Sequence, residues 1–370
     1  MIELHGVTKR FGTNLAVRNL SFKCREREFV VIFGPAGAGK STTLRMIAGI
    51  TQPTYGDLYF CDQSLEGVPP EKRNFSMAFE NYVLYSHLTN FENLAFPLRA
   101  RKILEAEIKR QVIKMAELLH IEELLDRKPG FLSGGQRQRV ALGRCLIRQA
   151  DIYLLDEPIS HLDARLRIQM RAELKNICLE KKTTVLHVTH DYREAMALAD
   201  RVIVLNKGRL MQNASPEDVY YKPANDFVAQ FVGDPPMSFI DAHLVSKDGK
   251  PAFRLGESEL IIPAASDFNA EMAASVSGVE RLKVGLRASQ PSLSSSANKQ
   301  HNVPTVIYLV VSQGHRNLIT VKFGKNLAQV ITTPDQTWEV GEQVWLSIHS
   351  KFLHVFADGR AIYHPDTQVL

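Results

Sequence analysis

The sequence predicts an α/β fold, a mostly parallel sheet with helices on its faces, followed by a smaller all-β domain. Three observations carry this. Short, wholly apolar runs alternate with helical stretches over much of the chain, as strands buried on both faces of a sheet require. A charged helical stretch interrupts that alternation. Beyond Phe231 the pattern changes to short alternating strands separated by turn residues.

In order, Phe29–Phe33 is a buried strand, running into the segment Gly34-Pro35-Ala36-Gly37-Ala38-Gly39-Lys40-Ser41. Ser41 to Ile50 then reads as a helix. Thr89 to Leu125 places Glu105, Glu107, Lys109 and Arg110 among Ile103, Ile108, Val112 and Met115, and is expected as a helical insertion. A further helix is expected from Arg137 to Gln149. Asp151 to Leu155, Thr184 to Val188 and Arg201 to Leu205 read as similar buried strands. Gly233-Asp234-Pro235-Pro236 punctuates the chain, so the domains are expected at 1–234 and 235–370, with a helical subdomain at about 89–145. Thr305 to Val311, Leu318 to Phe323, Ala328 to Thr332 and Val344 to Ile348 are the clearest later strands. Ser-rich Pro291 to Asn302 is expected to be a loop.

Composition narrows the classes. A chain of 370 residues suits two domains, and 45% apolar residues are enough for a sizeable core. The net charge of +5 is small and the basic residues are scattered, which argues against a nucleic-acid surface. Cys24, Cys61, Cys145 and Cys178 form no CxxC pair, so neither disulfides nor a zinc site is expected, and a reducing compartment is. The chain opens on Met-Ile-Glu-Leu-His-Gly without a signal-like segment, and no run is apolar enough to span a membrane.

Three motifs carry the chemistry. In the glycine segment, backbone N–H groups freed by Gly37 and Gly39 would wrap a phosphate at a helix N-terminus. Lys40 would bridge β- and γ-phosphates and Ser41 would reach Mg²⁺. Ile152-Tyr-Leu-Leu-Asp156-Glu157 supplies an acidic pair at a strand end: Asp156 for Mg²⁺ and Glu157 to orient an attacking water. A second glycine pair, in Ser133-Gly134-Gly135-Gln136, precedes a helix and would offer a positive terminus to an anion not its own. An ordinary N-cap is the alternative reading of Ser133.

Together with Ser160-His161-Leu162-Asp163 and Val188-Thr189-His190-Asp191, these motifs resemble those of an ABC-transporter ATPase. Val232-Gly-Asp-Pro-Pro-Met-Ser-Phe239, Val284-Gly-Leu-Arg287 and Leu353-His-Val-Phe-Ala-Asp-Gly359 resemble the C-terminal domain of maltose-type carbohydrate importer ATPases. The resemblance implies a RecA-like nucleotide-binding domain with a helical subdomain and an OB-like C-terminal domain, with ATP and Mg²⁺ as cofactors. It implies two ATPase subunits head to tail, each ATP lying between one phosphate loop, extending to Thr42, and the other subunit's Ser133 signature. Phe11 would stack on adenine, His190 would bond the γ-phosphate, Asp163 would couple the sites, and His187 is expected as a packed strand histidine. Glu80 to His87 would line a groove for a membrane subunit. Two permease subunits, an extracytoplasmic solute-binding protein acting indirectly, and the cytoplasmic membrane face follow from the same likeness, as does a carbohydrate, polyol or sugar-phosphate-like solute.

The chain departs from that pattern at three places. Glu80 stands where Gln is usual, beside the metal and the attacking water. Ala36 stands for Ser, and His161, expected to meet the opposite site, stands for Asn. With Lys40, Asp156, Glu157, His190 and the signature intact, the expectation is an asymmetric pair with a different ATPase subunit, a homodimer being the alternative. A nucleotide-binding but non-hydrolysing regulatory subunit is a further alternative, against which Glu157 and His190 speak. A soluble ABC ATPase acting on DNA or ribosomes is disfavoured by the short helical insertion and the single β domain. Arg287-Ala-Ser-Gln290 lacks the Pro-Glu that follows the arginine in many relatives, leaving dimer stabilisation as the expected role of the C-terminal domain.

Overall fold

The computed structural model describes residues 1–256, 261–296 and 302–365. It forms two compact units, Met1–Pro216 and Glu217–Leu370. In the first, a six-stranded sheet runs Arg209–Ala214, Arg201–Asn206, Phe29–Phe33, Thr184–Thr189, Ile152–Asp156, Phe75–Ala78. Only the first pair is antiparallel. Phe29–Phe33, Ile152–Asp156 and Thr184–Thr189 are buried at every position, which is why their sequences are mainly apolar rather than alternating.

A second, antiparallel sheet of Asn14–Cys24, Ile2–Phe11, Tyr55–Phe60 and Gln63–Ser64 lies outside the sequence-based expectation. Its first strands bury Ile2, Leu4, Val7, Val17, Leu20 and Phe22 in one core with Leu44, Met46 and Ile47 of the helix Lys40–Ile47 and with Ile32, Leu186 and Ile203 of the parallel sheet. That helix stops before the expected Ile50, because Gly49 turns the chain at φ +81°. Its last carbonyls are gripped by buried Arg73, which donates to Met46 O at 3.1 Å and Ile47 O at 2.8 Å. The same guanidinium donates to Leu65 O and Val68 O, each at 2.9 Å. A cation at the negative end of a helix dipole, with its donors spent on backbone carbonyls, compensates for its own burial.

The helical stretch comprises Asn90–Arg99, Glu105–Leu119 and Gly134–Leu146. Thr89 caps the first by accepting from Glu92 N at 3.2 Å. The last begins at Gly134 rather than Arg137, so the glycine pair forms its first turn instead of preceding it. Among the described residues no helix is long and apolar enough to cross a membrane. Cys24, Cys145 and Cys178 are buried and Cys61 is exposed; all four are free thiols.

The second unit is all-β apart from short helices. One antiparallel sheet runs Ile261–Pro263, Lys250–Leu255, Ser238–Lys247, Leu282–Leu286, His354–Ala357, Arg360–Tyr363. The other runs Ser292–Ser294, Gln343–Ser347, Asn302–Ser312, Asn317–Phe323, Asn326–Thr332. Both sheets close on one core that includes Ile240, Phe253, Val284, Ile307, Val321, Leu346 and Val355, an OB-like arrangement. Within the expected loop Pro291–Asn302, Ser292–Ser294 is a strand, because it pairs with Gln343–Ser347; residues 297–301 lie outside the described residues. The compact units divide earlier than residue 234. Buried Arg287 donates to Ala229 O at 3.1 Å and Tyr220 O at 2.6 Å, and Asp226 N donates to Gly359 O at 2.9 Å, tying residues 217–232 to the β unit.

Replacing Arg73 with Met removes the four hydrogen bonds to Met46, Ile47, Leu65 and Val68 O. We expect Arg73→Met to cost about 2–4 kcal/mol, measured as a lower thermal midpoint of the first unit with the β unit's transition unmoved.

Candidate active site

Three neighbouring parallel strands end together, and the predicted residues hang from their C-terminal ends. Phe33 leads into the glycine segment, Asp156 is the last residue of its strand, and His190 follows Thr189. Gly37 and Gly39 sit at φ +74° and +96°, where L side chains are strained, and a Cβ on Gly39 would lie 2.5 Å from Ala16 O. This frees backbone N–H groups at the start of the helix that holds Lys40, Ser41 and Thr42. Ala36 offers no hydroxyl there.

Lys40 is buried at 6% exposure, and its ammonium donates to Pro35 O at 3.0 Å. Burial pulls its pKa down, while the carboxylates of Glu157, Asp156 and Glu80 act the other way. Asp156 is fully buried. Its Oδ1 accepts from Ser41 Oγ at 2.8 Å, and its Oδ2 has no hydrogen-bond partner. Burial holds this carboxyl above its usual range, an effect that the charge of exposed Glu80 reinforces. An orphaned buried carboxylate oxygen beside a hydroxyl is a fitting pair of hard ligands for a divalent cation such as Mg²⁺. Among the described residues no cluster of three His, Cys, Asp or Glu could enclose one, so other ligands would be water and substrate oxygens.

Glu157 occupies the left-handed region at φ +48°. A side chain there is costly, so the surroundings must hold it. Its N–H donates to Val188 O at 3.0 Å, and its carbonyl accepts from Tyr82 Oη at 3.3 Å, Gln138 Nε2 at 3.2 Å and Ser160 Oγ at 3.1 Å. Its Oε1 lies 2.9 Å from Nδ1 of His190, whose ring is largely exposed. A carboxylate oriented by an imidazole at the mouth of a polar site is equipped to polarise a water. His187 points away into the sheet, fully buried, with Nε2 3.2 Å from Glu194. It is the packed strand histidine expected.

The remaining predicted residues lie on other elements. Ser133 is the N-cap of its helix: Gln136 N donates to its Oγ at 3.2 Å, and Gln136 Oε1 accepts from Ser133 N at 2.9 Å. Gly134 and Gly135 follow as the first turn, and a Cβ on Gly134 would meet nothing within 4 Å. Asp163 caps the helix Ala164–Lys181 by accepting from Leu166 N at 3.0 Å. Phe11 is half exposed on the antiparallel sheet, with Lys9 Nζ 4.9 Å above its ring. His161 is exposed, and its Nδ1 is engaged within the chain, 2.8 Å from Tyr82 Oη and 3.1 Å from Ser160 Oγ. Sequence reading passed over Gln138 and gave Tyr82 only a place along a groove. A glutamine beside the apolar Val140, Ala141 and Leu142 is the sequence signal for the first, and the structure buries it.

Comparisons with known proteins bear on the family and the fold. The family model described as ABC transporter matches residues 17–160. The trehalose/maltose import ATP-binding protein MalK of Thermococcus litoralis is 50% identical over 254 residues, 67% of this chain and 68% of that protein. The sn-glycerol-3-phosphate import ATP-binding protein UgpC of Yersinia pestis is 39% identical over 356 residues, 96% of each chain. A solved dimeric post-hydrolysis state of the ATP-binding cassette MJ0796, bound to ADP and Pi, superposes with a TM-score of 0.55 and 30% identity, covering 58% of this chain and 99% of that one.

The raised pKa of Asp156 has a sign that can be tested. A carboxyl held above its unfolded value costs stability when ionised, and that cost disappears as the pH falls through the folded value. Asp156→Asn should therefore raise the thermal midpoint of the ligand-free first unit by about 2–4 °C at neutral pH. The gain should shrink on acidification, as differential scanning calorimetry across a pH series will read.

Proposed function

The chain belongs to the ATP-binding subunits of ABC transporters, and from that premise we propose how its residues bind and hydrolyse ATP to energise solute import. The observation that carries this reading is the convergence of Lys40, Ser41, Asp156, Glu157 and His190 at three adjacent strand ends. The glycine-segment amides and Lys40 hold the β- and γ-phosphates, with Phe11 against the adenine. Ser41 and Asp156 would hold Mg²⁺, with the charge of Glu80 acting on Asp156. Bound there, the ion would neutralise charge building on the phosphate oxygens. Glu157 orients and polarises the attacking water, and His190, which pairs with Glu157, would bond the γ-phosphate.

The Ser133 helix carries no acidic residue in its first turn, which supports a site completed across a subunit pair, Ser133, Gly134, Gly135 and Gln136 facing the neighbour's ATP. Asp163 begins the helix after that turn and would couple the two sites. Glu80, Ala36 and His161 support an asymmetric pair with a different ATPase subunit. Tyr85 on the segment after Glu80 and Phe96 on the helix Asn90–Arg99 are both exposed, their rings 4.8 Å apart in an apolar patch, with exposed Val83 two residues before Tyr85. That patch suits a helix of a permease subunit, which would hold this chain peripherally at the cytoplasmic face of the membrane. The relatives' names favour a carbohydrate, polyol or sugar-phosphate-like solute. The β unit is assigned to dimer stabilisation, with the domain division near residue 234 or somewhat before it.

Glu157→Gln separates hydrolysis from binding. Turnover should fall by about 10²-fold or more while ATP still binds, measured as steady-state phosphate release beside equilibrium nucleotide binding; retained turnover removes Glu157 as the water-activating group. Molar mass and ATPase activity of the purified chain test the pairing. A monomer that binds ATP with negligible turnover is expected, and an ATP-driven homodimer with cooperative turnover would overturn the asymmetric pair.

A further inference from the structure

The carbonyl of Glu157 is a junction of three elements. Tyr82 reaches it from the loop that carries Glu80, Gln138 from the helix that opens on Ser133-Gly134-Gly135, and Ser160 from the turn leading to Asp163. These donors are also joined to one another. Gln138 Nε2 donates to Tyr82 Oη at 2.7 Å, and that hydroxyl lies 3.0 Å from Ser160 Oγ and 2.8 Å from His161 Nδ1. The rings of Tyr82 and His161 meet edge-on at 5.5 Å.

A phenol has one proton, so Tyr82 accepts from Gln138 and donates to one of its remaining neighbours. Burial holds the phenol's pKa above its usual range, and it stays a donor. Gln138 is fully buried. Tyr82 and Glu157 both lie in the left-handed region, at φ +47° and +48°. Two unfavourable backbone conformations on remote segments are thus held against each other by side-chain hydrogen bonds.

We infer that Tyr82 and Gln138 form a single post that fixes the backbone of Glu157 and so aims its carboxylate. They are positioning residues for ATP hydrolysis, an inference that rests on Glu157 being the water-activating group. One consequence concerns the paired subunits. The helix whose N-terminus serves the neighbour's nucleotide also holds, through Gln138, the base of its own subunit's site.

The test compares Tyr82→Phe, Gln138→Leu and the double variant in the full chain, in the assembly in which the wild type hydrolyses ATP. Each single variant should lower kcat per folded site by about 3–10-fold, the worth of one buried hydrogen bond. KM and Kd for ATP should stay within about two-fold, since the contact is made to the base and not to the nucleotide. The double variant should lose no more than the worse single, because both side chains act on one carbonyl. A merely structural role would lower the folded fraction, read by thermal melting, and leave kcat per folded site unchanged; that result overturns the inference. Effects that multiply in the double variant, or a KM that rises as kcat falls, also overturn it. Should Tyr82→Phe not fold, Gln138→Leu supplies the same split from a different element. A Glu157→Gln variant that retains turnover in that same assembly overturns the reading of Glu157 itself and is thereby distinguished from failure of the post.

Discussion

The active site depends on parallel strands stopping in register. Phe33 pairs with Thr189, and Asp156 with Val188, so three chain segments leave the sheet side by side. Each then carries a different kind of chemistry: backbone amides and an ammonium, paired carboxylates, an imidazole. None of these groups could assemble from one contiguous segment, because a phosphate cradle needs a helix terminus and a metal ligand needs a rigid strand end. A parallel sheet supplies both at the same edge.

That edge is expensive to fold. Lys40 and Asp156 are buried charges, Glu157 holds a conformation unfavourable for a side chain, and Asp156 Oδ2 has no partner. The mutual attraction of Lys40 with Glu157 and Asp156 offsets part of this. The remainder is offset by the apolar core beneath, where one helix is packed between two sheets. Strain therefore resides where a ligand can relieve it, and the packing that tolerates it lies elsewhere.

How much of this was legible in the sequence follows from how local each interaction is. Gly34 to Ser41, Leu154 to Glu157 and Ser133 to Gln136 were legible because their chemistry needs particular residue types in immediate succession. The buried parallel strands were legible as apolar runs for a similar reason. The start of the signature helix was misplaced because Ser133 and Gln136 satisfy each other as a capping box, a role that the glycine pair obscures. The amino-terminal antiparallel sheet was missed; its strands alternate and carry register shifts. Arg73 gripping Met46 and Ile47, or Gln138 reaching Tyr82, joins residues 26 to 56 positions apart. Nothing in the local pattern around either partner announces such a bond.

The helix Lys40–Ile47 has no acidic residue in its first turn, although acidic side chains are favoured there. Its opposite end is already neutralised by Arg73. The apo helix is thus electrically half-finished, and a phosphate at its N-terminus supplies the missing counter-charge. Heat resistance of this segment becomes a gauge of occupancy, because a ligand that binds only the folded form stabilises it in proportion to the logarithm of its concentration. In a cell, the lifetime of the chain against proteolysis would then track the supply of nucleotide, without any dedicated sensor.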